Sequence, residues 1–330
     1  MKLFKCPGCG GTIYFRNLGC SCGQAVAYDP ALGGFVDLNT VNPCENREQI
    51  DCNWRADDGY AQCRSCRTTE TIPDLTVSKN RELWAEAEQA KRWVMANLMR
   101  YGIFGPQDNH ADPVFELISE ATAGGEVQVM MGHAEGRIVI NVVEADHAIR
   151  ESRRQSLDER LRTMIGHFRH ELGHYIHMRL VAVPGFAEEF RDLFGDEQQD
   201  YAAALERHYA RQEPSERQHE FLTHYASAHP HEDWAETFAH FLHLVDIVDS
   251  AQASGLSWTT KDDNGNTILA DFDPYDAATP EPLLSVAASL GIALNHVNRA
   301  MGLYDVYPFV MSAVTRRKLA FVHRWIKAAV

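Results

Sequence analysis

The sequence predicts an α+β protein: two small metal-stapled modules, then a larger, mainly helical domain carrying a small sheet. Three observations lead there. All eight cysteines fall within the first 66 of 330 residues, in two sets of four. Two alternating apolar segments, "EVQVMMG" and "RIVINVV", flank a short "HAEG" turn. Stretches with helical periodicity fill most of the remainder, one of them bearing "HFRHELGHYIH" at residues 167–177.

The cysteine sets come first in the chain. Cys6 and Cys9 ("CPGC") with Cys20 and Cys22 ("CSC") form one; Cys44 and Cys52 with Cys63 and Cys66 ("CRSC") form the other. An even count allows disulfides, but tight C-x-x-C pairs read as metal knuckles, and four thiolates make a closed structural zinc site. The C-x-C pair puts tighter demands on the backbone than C-x-x-C. Residues 1–75 are rich in Gly, Asn and Asp with short apolar runs, and read as a segment that needs metal in place of a core of its own. We expect a zinc ribbon over 1–40, a second four-cysteine zinc module over 41–76, and the main domain over 77–330, with Pro73 in "TIPDL" marking the passage.

The main domain opens on "VSKNRELWAEAEQAKRWVMANLMRYG". Leu83, Trp84, Ala87, Val94, Leu98 and Tyr101 share one helical face, and Gly102 offers a stop. The two alternating strands follow. "SLDERLRTMIGHFRHELGHYIHMRL" then reads as one long helix, with Ser156 as N-cap and Glu159 completing a capping box. From residue 186 the chain reads as mostly helical, interrupted near Pro214, Pro230 and "DDNGNT" at 262–267.

Composition bounds the function. The net charge of −15 disfavours a nucleic-acid backbone or an anionic membrane as partner. Residues 1–75 carry seven Lys+Arg against nine Asp+Glu, so the ribbons show no basic footprint, and a protein partner suits them better than nucleic acid. No apolar run is long enough to span a bilayer. The opening "MKLFKCPGCGG" lacks the apolar core of a secretory signal, so a cytoplasmic location is expected.

His170, Glu171 and His174 form H-E-x-x-H. On a helix, residues i and i+4 lie about 40° apart in rotation, so both imidazoles reach one metal. Glu171 lies about 100° round from His170, where it can reach a metal-activated water without being a ligand. That is the arrangement of metal-assisted hydrolysis, with Glu171 as general base and acid. Gly173 costs about 1 kcal/mol against alanine within a helix, which implies close backbone packing there. His167 and His177 read as packing groups or as outer supports of the ligands, rather than as ligands themselves. The preceding "GRIVINVVEAD" reads as an edge strand to which an extended peptide could add. The longer motif H-E-x-x-H-x-x-G-x-x-H is excluded, because His177 and Leu180 occupy its glycine and histidine positions. A third ligand must come from elsewhere. Glu232 and Glu236 in "HPHEDWAETFAHFLH" share one face of a helix beginning after Pro230, and spacing alone does not separate them.

"GHFRHELGHYIH", "FGDEQQDYAAALERHY", "HPHEDWAETFAHFLH" and "NRAMGLYDVYPFV", behind a head ending in "CRSCRTTETIPDL", resemble the bacterial family of zinc-binding metallopeptidases fronted by zinc ribbons. The resemblance spans nearly the whole chain. It implies a zincin-like, gluzincin-type metallopeptidase domain with one catalytic zinc beside two structural ones, and a peptide or protein substrate. In gluzincins the ligand is the first acid of E-x-x-x-D/E, which implies Glu232 on zinc and Glu236 hydrogen-bonded to a ligating histidine. A carboxylate in the opening turn also suits the helix dipole. The stretch before Glu232 is locally similar to gluzincins in which a tyrosine stabilises the oxyanion, which implies Tyr225 in that role; a packed helix-face tyrosine is its bland alternative. Two rival functions are a zincin acting on nucleic-acid-bound proteins and a non-catalytic zinc-binding module. The acidic head opposes the first, and Glu171, which metal binding alone does not need, opposes the second. "NRAMGLYDVYPF" reads as a satisfied polar cluster at a helix joint, and Asp196, Glu197 and Asp200 as a helix cap and solvated face.

Overall fold

The computed structural model describes residues 3–157, 159, 161–210, 218–261, 264–307 and 309–330. Two short cysteine-bearing modules precede a domain that mixes helices with a small sheet. The chain divides into two compact units, residues 1–168 with Val330, and residues 169–329.

In the first unit, hairpins β1 (Phe4–Lys5) with β2 (Thr12–Ile13) and β3 (Val26–Asp29) with β4 (Gly34–Asp37) build the first module. The second uses two single-turn helices, α1 (Arg47–Ile50) and α2 (Arg64–Arg67). Contrary to the expectation that this segment lacks a core, it has a small aromatic one. Phe4, Phe15, Tyr28 and Trp54 are buried, and Phe15 meets Tyr28 at 4.9 Å between ring centroids. Aromatic rings bury so much area each that four of them make a core in a segment whose apolar runs are too short to suggest one.

Strand β5 (Thr69–Thr71) leads into helix α3 (Ser78–Met99). Leu83, Trp84, Ala87, Val94 and Leu98 are all buried, as their spacing requires, and Tyr101 follows just beyond the helix end, also buried. The sheet adds β6 (Val114–Ile118), β9 (Gly132–Ala134) and β10 (Arg137–Asn141), in the order β5-β6-β10-β9. A separate small hairpin pairs β7 (Ala121–Thr122) with β8 (Gly125–Glu126). Two sequence expectations are corrected here. Strand β10 is interior, parallel to β6 and antiparallel to β9, so its backbone is paired on both sides. The strand before the turn is only three residues long, and most of "EVQVMMG" lies outside any strand. The turn itself is a two-residue Glu135-Gly136 connection with both φ positive, at 49° and 82°, the geometry that matches strand twist.

The long helix expected from Ser156 is two helices. Helix α4 (His147–Ser156) ends at that serine, and α5 (Met164–Leu180) begins eight residues later. Asp146 caps α4 by accepting from the amides of Ala148 and Ile149. Thr163, immediately before α5, accepts from the Gly166 amide at 2.9 Å. Glu159 pairs instead with Arg162 at 2.9 Å. Two true caps ten or more residues apart outrank the capping-box pattern read between them.

The second unit holds the rest of α5, then α6 (Phe186–Phe194), α7 (Tyr201–Ala210), α8 (Pro230–Ala253), the hairpin β11 (Thr259–Lys261) with β12 (Thr267–Leu269), α9 (Pro280–Ala300) and α10 (Ala313–Trp325). The break expected near Pro214 lies outside the described residues, as do Asp262 and Asp263 of the hairpin loop. Phe186, Phe190 and Phe194 recur every four residues on α6 and pack with Trp234 of α8 and Phe321 of α10. No helix among the described residues is long and apolar enough to cross a membrane.

Candidate metal centres

Helices α5 and α8 press together at Gly173. A methyl group there would sit 3.1 Å from Ala235 Cα and 3.3 Å from its carbonyl oxygen. The Trp234 indole also donates to the Gly173 carbonyl at 2.7 Å. This contact explains the helical glycine and sets His170 and His174 against the start of α8. Pro230 occupies the first turn of α8, whose Ncap His229 accepts from the His231 amide through its side chain.

Glu232 Oε2 lies 3.0 Å from His170 Nε2 and 3.5 Å from His174 Nε2, and the two nitrogens are 3.2 Å apart. A tetrahedral zinc with bonds of about 2.0–2.1 Å spaces such ligand atoms about 3.3–3.4 Å apart. Oε2 is buried with no hydrogen-bond partner. These three ligand atoms converge on one point at spacings that could hold a metal ion. The electrostatics agree. Burial opposes the charge on Glu232, but the His170 and His174 imidazoles outweigh it and hold the carboxyl far below its usual range. Burial likewise opposes a charged His170, yet Glu232 and Glu236 draw it well above the ordinary histidine value. The pocket asks for positive charge.

Glu236, one turn further along α8, does not face this point. Its Oε1 meets His170 Nδ1 at 2.7 Å, leaving Nε2 for the metal position. Asp233, between the two glutamates, is turned to Lys318 of α10 at 2.5 Å. Glu171 is buried on α5 between the two histidines. Tyr225 opens the turn before α8, with its ring centroid 5.9 Å from that of His170. Burial, reinforced by the Glu232 charge, pushes its phenol pKa strongly up, so it stays a neutral donor.

The other singled-out groups take structural places. His177 packs among Phe186, Phe190, Trp234 and His231, and His167 Nε2 lies 3.4 Å from Glu144. Asp200 accepts from the Ala203 amide at the start of α7, and Glu197 pairs with Arg191. Arg299 pairs with Asp305, Asn295 clasps the Tyr307 backbone, and the Tyr307 hydroxyl meets His240 Nδ1 at 3.0 Å. One residue at the site went unread in the sequence. Tyr201, on α7, donates its hydroxyl to Glu232 Oε1 at 2.6 Å. Its only sequence signal is its place in "FGDEQQDYAAALERHY", where it sits 31 residues from its partner.

Both cysteine sets close into quartets among the described residues. In the first, Cys6 and Cys22 sulfurs are 3.8 Å apart and those of Cys9 and Cys20 3.7 Å, so the C-x-C pair closes its site. In the second, Cys52 lies 3.7 Å from both Cys63 and Cys66. Tetrahedral zinc–sulfur bonds of about 2.3 Å space sulfurs about 3.8 Å apart, whereas a disulfide brings them to about 2.05 Å. Arg92 of α3 adds a second sign at the second quartet. Its side chain is buried and none of its three guanidinium nitrogens has a hydrogen-bond partner. Burial opposes its charge, and Cys52, Cys66, Glu88 and Cys63 outweigh that. A zinc-bound thiolate quartet, with its net negative charge, is what a guanidinium in that position needs.

Comparison with known proteins agrees with this geometry. Residues 80–325 match a family model described as "Putative zinc-binding metallo-peptidase", and residues 34–77 match a zinc-ribbon domain. The chain is 37% identical over 342 residues to an uncharacterized protein of Mycobacterium tuberculosis, Rv2568c, and equally to one of Mycobacterium bovis, Mb2598c. Each alignment covers 98% of this chain and 94% of the relative. No solved structure matches.

Proposed function

Because the chain belongs to this zinc-binding metallo-peptidase family, we propose that it is a zinc-dependent peptidase in which Glu171 acts as general base and acid. The observation that carries the reading is the buried, unpartnered Glu232 Oε2 facing the Nε2 atoms of His170 and His174. His170, His174 and Glu232 hold the catalytic zinc, and the two cysteine quartets hold structural ones. Bound there, zinc supplies Lewis acidity, polarising a peptide carbonyl and lowering the pKa of water at neutral pH.

The chain's own groups do the rest. Glu171, buried beside the ligands, takes the proton from the attacking water and returns it to the leaving amine. Glu236 fixes the His170 ring through Nδ1, which keeps Nε2 a lone-pair donor. Tyr225, kept as a neutral phenol, donates to the oxyanion as the carbonyl becomes tetrahedral. The substrate class is a peptide or protein, and the ribbons suit a protein partner. The test is cleavage of a peptide library by the purified chain and by Glu171→Gln. The variant should keep its metal and lose about 100-fold to 10,000-fold in kcat. Wild-type cleavage by Glu171→Gln would refute the mechanism.

A further inference from the structure

The two oxygens of Glu232 have different surroundings. Oε2 faces the two imidazole nitrogens with no hydrogen bond, while Oε1 accepts from the Tyr201 hydroxyl at 2.6 Å. Tyr201 comes from α7, an element that contributes no metal-position ligand, and its side chain is the donor that Oε1 has.

We propose that Tyr201 is a positioning residue that acts through Glu232, holding its carboxylate to one-oxygen coordination. The inference rests on the reading of Glu232 as a ligand. A carboxylate can offer a metal one oxygen or both. An O–H···O⁻ bond of this length occupies one lone-pair site of Oε1 and holds that oxygen towards α7. With two histidines and one carboxylate oxygen as protein ligands, the fourth tetrahedral position stays open for water and substrate, as a catalytic site requires. Without Tyr201 the same carboxylate is free to rotate, close on the metal through both oxygens and fill that position. Before any metal binds, loss of the hydrogen bond leaves the carboxylate unheld, so ordering it counts against binding and metal affinity falls.

Tyr201→Phe isolates the hydroxyl. In the full-length variant, competition with a chromophoric chelator should show metal affinity at the histidine site falling about 10- to 100-fold. The zinc of the cysteine quartets should be retained, which controls for folding. Cobalt substituted at the histidine site should lose visible absorption intensity, because a four-coordinate cobalt site absorbs more strongly than a five-coordinate one. Tyr225→Phe should leave both readouts unchanged while lowering kcat. Wild-type metal affinity and cobalt spectrum in Tyr201→Phe would overturn the inference. A Glu232→Ala arm separates this from the wider reading: if that variant keeps its histidine-site metal, Glu232 is not a ligand and the proposed function fails first.

Discussion

Buried charges in this molecule mark what each site is for, and Glu144 shows the structural case. Its carboxylate is fully buried and takes Arg153 at 2.7 Å, Arg162 at 2.8 Å and His167 at 3.4 Å. Burial opposes its charge, but His167, Arg162 and Arg153 outweigh that and hold its pKa well below the glutamate value of 4.5. Glu144→Gln takes from Arg162, mostly buried, one of its two carboxylate partners and should cost about 3 kcal/mol, the low end for a broken buried pair because Arg162 keeps Glu159 and Arg153 is partly exposed. The sign with pH follows from a depressed folded pKa. The stabilisation is complete above the unfolded glutamate value and disappears as pH falls below it. The stability gap between wild type and Glu144→Gln, read by urea unfolding, should therefore shrink below about pH 4.3. A gap constant down to pH 3 would show that the charge is not what matters. Glu232 differs in kind, because its Oε2 faces two imidazole nitrogens rather than an arginine.

Among elements, the α5–α8 contact governs the site. The metal-facing residues lie on two helices, and only the absence of a side chain at Gly173 lets the backbones approach closely enough to align them. Gly173→Ala gains helix propensity of about 1 kcal/mol but forces a Cβ against Ala235 Cα at 3.1 Å. Backbone cannot yield as a flexible side chain would, so net destabilisation of about 1 to 3 kcal/mol is expected, together with weaker metal binding at His170 and His174. A more stable Gly173→Ala variant in thermal unfolding would contradict the close packing. The element level is also where sequence patterns misled. Ser156 followed by Glu159 satisfies the capping-box pattern, yet Ser156 closes α4 and Thr163 opens α5. A pattern of two polar residues cannot register where the flanking helices find their better caps.

At the scale of the whole molecule, the candidate metal ligands divide between the two units by sequence. All eight cysteines lie in the unit of residues 1–168, whereas His170, Glu171, His174, Glu232 and Tyr201 lie in that of residues 169–329. Elemental analysis of protein purified without chelator should find three zinc ions per chain, and His174→Ala should keep two. One zinc per wild-type chain would refute the quartet assignment. Retention of three by His174→Ala would remove that residue from the ligand set.

The sequence by itself carried the spacings that one helical turn or one cysteine knuckle fixes. His170, Glu171 and His174 are ordered by one helical turn, and each cysteine knuckle by two or three residues. Such spacings survive whatever the rest of the chain does, because local backbone geometry alone sets them. The i, i+4 pairing of Glu232 and Glu236 was legible for the same reason, and family resemblance ranked the two. Tertiary structure alone decided what depends on elements meeting. It made β10 an interior strand, because β6, earlier in the chain, pairs with it on the side opposite β9. It gathered Phe4, Phe15, Tyr28 and Trp54 into one core from four separate short runs. It brought Tyr201 to Glu232 across 31 residues and buried Arg92 where the charge of cysteines from other elements reaches it. These are single contacts between distant residues with no period to reveal them; they exist only because packing the helices and strands leaves a buried polar atom one place to find its partner.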